Sequence, residues 1–164
     1  MVSILNVYSI RYSFSQRFVV PAREAFKWST DYQPGDFTLM RVKGRRRIRR
    51  INEDTVLLTE TTRSGRKRIV KTKLVRTNEA DLSWVNTHVA GPFRHSQFIY
   101  RIIPEGRASR LQFRGLLLCY SARPVRPSKL RQVGLTEKRH DSQVWQNLAK
   151  AMAKELGQRP GRKS

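Results

Sequence analysis

The sequence is poor in cysteine and contains no long apolar segment. Its single cysteine, Cys119, excludes an internal disulfide and a cysteine-rich metal site, and it fits the reducing environment of the cytoplasm. No segment approaches the roughly eighteen consecutive apolar residues that a transmembrane helix needs. The first residues lack the basic start and apolar run of a signal peptide. We therefore predict a cytoplasmic protein without a membrane span, a metal or a cofactor.

Acidic residues are equally scarce, and this scarcity sets the charge of the chain. Twelve Asp and Glu face 34 Lys and Arg, which gives a formal net charge of +22 over 164 residues. Most of the cations are Arg, whose planar guanidinium pairs with phosphate through two parallel hydrogen bonds. Such a charge opposes a compact state by self-repulsion unless a polyanion neutralises it. The composition therefore favours nucleic acid as a partner, with an anionic membrane surface as the second alternative.

The order of the predicted elements indicates a single domain over residues 1–156, followed by a short basic tail over residues 157–164. β-branched and aromatic residues predict a strand over residues 3–20, and Pro21 begins a short amphipathic helix. Alternating apolar residues and intervening turn sequences predict about six further strands up to Tyr120. An apolar stripe predicts a terminal helix, most clearly over residues 141–156. Strands followed by a helix are typical of an α+β fold.

Four segments resemble the SRPBCC superfamily, which includes START-like and polyketide-cyclase-like proteins. They are VPAREAFKW at residues 20–28, RRINEDTVLLTETT at 49–62, SGRKRIVKTKLV at 64–75 and QVWQNLAKAMAKEL at 143–156. The resemblance implies a helix-grip fold, in which a curved antiparallel sheet of about six or seven strands packs on a long C-terminal helix. It also implies a cavity between the sheet and that helix, which takes an apolar ligand.

Basic residues concentrate between residues 41 and 76, where fourteen Lys and Arg face three acidic residues. Arginines on both faces of one predicted strand are unsuited to a core and indicate an exposed edge. The Arg- and Pro-rich linker that follows Tyr120 adds further cations, and all of these side chains are suited to contact an RNA backbone. The alternatives are an edge strand charged against aggregation and, for the linker, a solvated loop. The predicted RNA-binding residues are Arg41, Lys43, Arg45, Arg46, Arg47, Arg49, Arg50, Arg63, Arg66, Lys67, Arg68, Lys71, Arg123, Arg126, Lys129 and Arg131.

Apolar and aromatic residues on the predicted strands and terminal helix are candidates for a cavity wall. At the same spacing they would also form an ordinary filled core, which is the interpretation we favour. The histidines are isolated in the sequence and no known catalytic motif is present, so we predict that the chain is not an enzyme. The candidate cavity residues are Trp84, Phe98, Tyr100, Phe113, Trp145 and Met152.

Charge and resemblance together predict an RNA-binding structural component of a ribonucleoprotein. The high basicity is similar to that of ribosomal proteins, so we expect an archaeal, ribosome-associated member of the superfamily. Its expected partners are ribosomal RNA and neighbouring ribosomal proteins. The alternative keeps the role that the resemblance implies, which is a small protein that binds an apolar ligand or acts like a cyclase.

Overall fold

Seven antiparallel strands and three helices make up residues 5–157, the part of the chain that the computed structural model describes. One curved sheet has the order β1-β7-β6-β5-β4-β3-β2, and it grips the long C-terminal helix. This is the helix-grip fold, and the predicted α+β class is confirmed. The strands are β1 (Asn6–Phe18), β2 (Gly44–Arg50), β3 (Thr55–Ser64), β4 (Lys67–Asn78), β5 (Ser83–Ala90), β6 (Gln97–Glu105) and β7 (Ala108–Ser121). The helices are α1 (Ala22–Thr30), α2 (Asp36–Met40) and α3 (Pro127–Gly157).

Side-chain alternation gives the sheet an inner face toward the helices and an outer face toward solvent. Along β7, Leu111, Phe113 and Leu117 point inward and are buried, whereas Arg114 between them is exposed. The inner face carries two hydrophobic clusters, one that includes Phe18 and Leu111 and one that includes Phe113 and Leu117. Full burial of a side chain such as Leu or Phe contributes about 1.5–3 kcal/mol. The inner face is therefore where the fold gains most of its stability.

Helix α3 lies against the inner face and supplies one wall of the core. Its buried residues Trp145, Leu148 and Met152 follow the helical spacing that places side chains on one stripe. Gly134 allows the helix backbone to approach β1, because an added Cβ would lie 2.7 Å from Cγ2 of Ile10. The helix therefore crosses the sheet closely at this point and leaves space elsewhere.

Two details differ from the prediction. Helix α3 begins at Pro127, well before residues 141–156. Proline is favoured in the first turn of a helix, because N–H groups there have no intrahelical acceptor and the missing N–H of proline costs no hydrogen bond. The short helix α2 was not predicted, and it ends at Arg41, which adopts the left-handed conformation with φ 57°. The predicted basic tail lies outside the described residues after Gly157. None of the helices in residues 5–157 is long and apolar enough to cross a membrane.

Candidate functional site

A cavity of about 340 Å³ lies between the inner face of the sheet and the three helices. Trp84 and Tyr100 stack on one side of it, with ring centroids 4.8 Å apart and ring planes at 3°. The indole of Trp145 on α3 lies 5.7 Å from the Tyr100 ring. The volume and the rigid aromatic lining fall within the range of sites that hold small organic molecules.

Charged side chains also point into this space from the inner face. Glu60 on β3 accepts hydrogen bonds from the Arg46 guanidinium at 2.7 and 3.0 Å, and it pairs with Nζ of Lys73 at 2.6 Å. Arg46 is held on its other side by Asp36 at 2.6 Å. Burial alone would raise the pKa of Glu60, but the adjacent Lys73 and Arg46 cations outweigh it and hold the pKa at about 2. The network is therefore ionised and internally paired.

A second polar pair joins β1 to α3, and its Asp141 lines the cavity. The hydroxyl of Tyr12 on β1 donates a hydrogen bond to Oδ2 of Asp141 on α3 at 2.5 Å. Burial raises the pKa of Asp141, although the bond from Tyr12 acts in the opposite direction. One turn earlier on α3, burial and the nearby Asp141 raise the pKa of Glu137. Both carboxyl groups therefore bind protons more readily than exposed ones.

Four buried polar atoms in residues 5–157 have no hydrogen-bond partner, and all four belong to residues that line this cavity. They are the hydroxyl oxygens of Ser29 and Tyr32, Oδ1 of Asn86 and Nδ1 of His88. Burial, with the nearby Lys73 and Lys71 cations, lowers the pKa of His88 to about 4, so its ring is neutral at pH 7. The residues of the cavity wall therefore carry buried polar groups whose hydrogen-bonding capacity is unused.

The six candidate cavity residues divide between the wall and the core beneath it. Trp84, Phe98, Tyr100 and Trp145 line the cavity. Phe113 and Met152 are almost fully buried and pack within the hydrophobic clusters. The inner face therefore forms a filled core and a cavity side by side, whereas the sequence interpretation favoured a core alone.

The sequence interpretation missed several residues in and beside the cavity. Glu60 had a detectable pattern, because it continues the inward-facing series of Val56 and Leu58 along β3. A carboxylate on a buried face needs a cationic partner, and that rule indicates an internal ion pair. Tyr12 and Asp141 are 129 positions apart in sequence, and no local pattern joins them.

Two of the predicted RNA-binding residues point inward, and for these two the prediction is wrong. The Arg46 side chain is only 8% exposed, and it lies 5.3 Å from the centroid of the Phe37 ring. Lys71 is half-buried in the cavity wall. Strand alternation explains both, since even positions of β2 and odd positions of this part of β4 share the inner face. Neither side chain is free to reach a backbone phosphate.

The other predicted RNA-binding residues lie at the surface in several separate places. Arg45, Arg47 and Arg49 project from the outer face of β2, while Lys43 and Arg63 also line the cavity. The remaining exposed residues lie at the end of α2, the end of β2, the β3–β4 turn and β4, and the linker with the start of α3. They are Arg41, Arg50, Arg66, Lys67, Arg68, Arg123, Arg126, Lys129 and Arg131.

Comparison with known proteins places the fold among solved structures, although the chain matches no protein-family model and no curated protein. It is similar to the Zhui aromatase/cyclase from Streptomyces sp. R1128, with a TM-score of 0.76, 9% identity, and coverage of 91% of this chain and 96% of that one. It is similar to ginseng major latex-like protein 151 from Panax ginseng, with a TM-score of 0.67, 6% identity, and coverage of 88% and 97%. A di-domain ARO/CYC, StfQ of the steffimycin biosynthetic pathway, gives a TM-score of 0.69 at 11% identity, with coverage of 91% of this chain and 52% of that one.

These similarities overturn the predicted function and partners. Aromatase/cyclases and a latex-like protein share the whole fold, and the prediction of a ribosomal protein bound to RNA and to neighbouring ribosomal proteins is wrong. The archaeal, ribosome-associated assignment has no support in them. The prediction failed because it inferred a partner from net charge, which describes the surface and says nothing of what the inner face encloses.

Proposed function

We propose that this chain is a small-ligand-binding protein whose cavity takes a flat, hydroxylated aromatic molecule. The observation that carries the proposal is that all four unpartnered polar atoms belong to residues that line the cavity. A buried polar group without a partner costs about 1–3 kcal/mol, so a ligand that supplies the missing hydrogen bonds recovers free energy. The stacked rings of Trp84 and Tyr100 favour a flat ligand, because aromatic rings pack best in offset or edge arrangements.

The ligand's hydroxyl groups match the unpartnered atoms by chemistry. Oδ1 of Asn86 accepts a hydrogen bond, and the hydroxyl groups of Ser29 and Tyr32 both donate and accept. A phenolic hydroxyl also donates and accepts, so it suits either kind of atom. The fold-level likeness to an aromatase/cyclase supports a small molecule as the occupant. It also supports our proposal that the chain is a member of the SRPBCC superfamily.

We propose binding without turnover. The ionised groups that could act on a ligand are already paired within the protein, Glu60 with Arg46 and Lys73, and Asp141 with Tyr12. A catalytic acid or base must instead reach the proton that it transfers. The free thiol of Cys119 supports a cytoplasmic setting for this binding protein.

Tryptophan fluorescence provides a direct test, since all three tryptophans of the sequence, Trp28, Trp84 and Trp145, line the cavity. Titration with 1,8-dihydroxynaphthalene should quench this fluorescence saturably. Naphthalene, which has no hydroxyl group, should bind at least about tenfold more weakly, because one net hydrogen bond is worth about 1 kcal/mol and two are available. Equal affinity for the two molecules would overturn the assignment of the polar wall.

A matched pair of variants on α3 locates the binding. Val144→Phe adds volume at the cavity wall, whereas Gln146→Phe adds the same side chain at an exposed position. We expect the first variant to lose dihydroxynaphthalene binding and the second to keep it. If both variants bind like the natural chain, the ligand does not occupy this cavity and the proposed function fails.

A further inference from the structure

Lys71 differs from Arg46 and Lys73, the two cations that pair with Glu60 on the inner face of the sheet. It lines the cavity from β4, half-buried, and none of the ion pairs within residues 5–157 includes it. Glu60 lies directly opposite in the β3–β4 pairing, but both oxygens of its carboxylate are occupied by Arg46 and Lys73. The Lys71 amine is therefore left facing the cavity.

The surroundings of Lys71 favour its neutral form. Burial and then the Lys73 cation, two residues along the same face, lower the pKa of the Lys71 ammonium. The Lys73 ammonium is held in place by its 2.6 Å ion pair with Glu60. A neutral amine is the nucleophilic form of lysine. A neighbouring cation favours that form because it lowers the pKa of the ammonium.

Proton donors lie on the opposite wall of the same cavity. Glu137 on α3 lines it, and burial with the nearby Asp141 raises the pKa of its carboxyl group. His140 also faces this space, and neutral His88 faces it from β5. A carboxyl group with a raised pKa binds a proton more readily, and it can pass that proton to a leaving oxygen and take it back afterwards.

We propose that Lys71 captures a carbonyl-bearing ligand covalently and reversibly, as an imine. Its Nζ attacks the carbonyl carbon of an aldehyde or ketone, and a C–N bond forms as the C=O bond becomes a C–O bond. The oxygen leaves as water with one proton from the amine and one from a cavity acid, and the remaining amine proton restores that acid when the neutral C=N bond is complete. Amine and carbonyl thus become imine and water, with no oxidant or reductant.

This inference rests on the proposed ligand site, and it adds a class of ligand: an aromatic aldehyde or ketone that carries a hydroxyl group. The probe is 2-hydroxy-1-naphthaldehyde at limiting concentration, with sodium cyanoborohydride to reduce any imine to a stable amine. Peptide mass spectrometry then reports how much label each lysine carries. We expect Lys71 to carry at least about tenfold more label than any other lysine, because binding in the cavity raises the effective concentration of the aldehyde.

Three variants and a competitor make the result specific. Lys71→Arg keeps the positive charge and should lose the preferred label, and Lys71→Met should do the same without the charge. Lys67→Arg, on the same strand but exposed, should leave the labelling of Lys71 unchanged. An excess of 1,8-dihydroxynaphthalene, which has no carbonyl group, should block the label by occupying the cavity.

The outcomes separate this inference from the proposed function. Saturable binding of dihydroxynaphthalene together with equal labelling of all lysines would overturn the imine and leave the ligand site intact. Preferred labelling of Lys71 that dihydroxynaphthalene does not block would place the reaction outside the proposed site and overturn the inference as stated. The absence of dihydroxynaphthalene binding would overturn the proposed function itself.

Discussion

Two glutamates, each held between two cations, lie on opposite faces of the same sheet. On the inner face, Glu60 contacts Arg46 and Lys73 at 2.7 and 2.6 Å, and its side chain is 7% exposed. On the outer face, Glu105 contacts Arg110 and Arg17 at 2.6 and 3.8 Å, and its side chain is 32% exposed. Water screens the outer pairs, whereas the inner charges depend on each other. An ion pair of the same residue types should therefore contribute little to stability on the outer face and much on the inner face.

The largest effect should come from neutralising the two glutamates in turn. Glu60→Gln leaves the partly buried Lys73 without its anion, and we expect the free energy of unfolding to fall by about 3–5 kcal/mol. Glu105→Gln should lower it by less than about 1 kcal/mol, because its partners remain hydrated. Urea unfolding at pH 7 measures both. Equal losses would show that burial does not distinguish the two faces.

The pH dependence of the Glu60 contribution has a definite sign. The folded-state pKa of about 2 lies below the ordinary value of 4.5, so the stabilisation is fully present above pH 4.5. It is lost as the pH falls from 4.5 toward 2. Glu60→Gln should remove this part of the acid sensitivity, and Glu105→Gln should leave it in place.

The second effect concerns His88, whose buried ring stays neutral while the unfolded chain binds a proton. Its pKa falls from 6.5 to about 4 on folding, so stability declines as the pH drops from 6.5 to 4, by about 3 kcal/mol in total. Asp36, Glu137 and Asp141 have raised pKa values and oppose this slope, but they are common to the variants compared. Urea unfolding across this range should show a shallower decline for His88→Gln than for the natural chain.

A matched histidine variant controls for that measurement. The His95 side chain is exposed and contacts the Tyr120 hydroxyl, and His95→Gln should keep the decline of the natural chain between pH 6.5 and 4. If His88→Gln keeps the same decline, the ring is not held neutral by its surroundings. The inner face would then resemble the outer face in its access to water.

The third effect compares two tyrosines that both face inward. The Tyr12 hydroxyl donates to Asp141, whereas the Tyr32 hydroxyl has no partner within residues 5–157. Tyr12→Phe should lower the free energy of unfolding by about 2 kcal/mol, since hydrogen bonds to charged groups are the strong ones. Tyr32→Phe should raise it by about 1 kcal/mol and weaken dihydroxynaphthalene binding. Thermal unfolding with and without ligand measures the pair, and a destabilised Tyr32→Phe protein would show that this hydroxyl already has a partner.

The fold was predictable because its signals are local. Alternation along β7 and the apolar stripe of α3 define which side of each element is buried. The start of α3 at Pro127 was misjudged because a proline-rich segment suits a linker and a first helical turn equally well. The fold class therefore followed from the sequence, and one helix boundary did not.

The site was less predictable because it depends on contacts between distant strands. Arg45 and Arg46 are neighbours of identical chemistry, and only the register with β3 decides which one meets Glu60. Both arginines contribute equally to the net charge, so composition cannot distinguish the exposed one from the buried one. The unpartnered atoms of Ser29 and Asn86 depend on packing between separate elements. The sequence therefore indicated a basic chain, whereas the structure shows a cavity with buried polar groups in its wall.

The smallest effect should come from the outer face of β2. Arg45, Arg47 and Arg49 are exposed there, so replacing all three by Gln removes positive charge without breaking an inner-face contact. We expect each substitution to change the free energy of unfolding by less than about 0.5 kcal/mol. Relief of self-repulsion should make the change slightly favourable at low salt.

Ligand affinity gives the stricter measurement on this triple variant. The dissociation constant for dihydroxynaphthalene should stay within about twofold of the natural value, a difference of about 0.4 kcal/mol. A larger loss would mean that the outer arginines act on the cavity through the sheet, because they do not line it. The two faces would then be coupled, and the high positive charge would belong to the ligand site as well as to the surface.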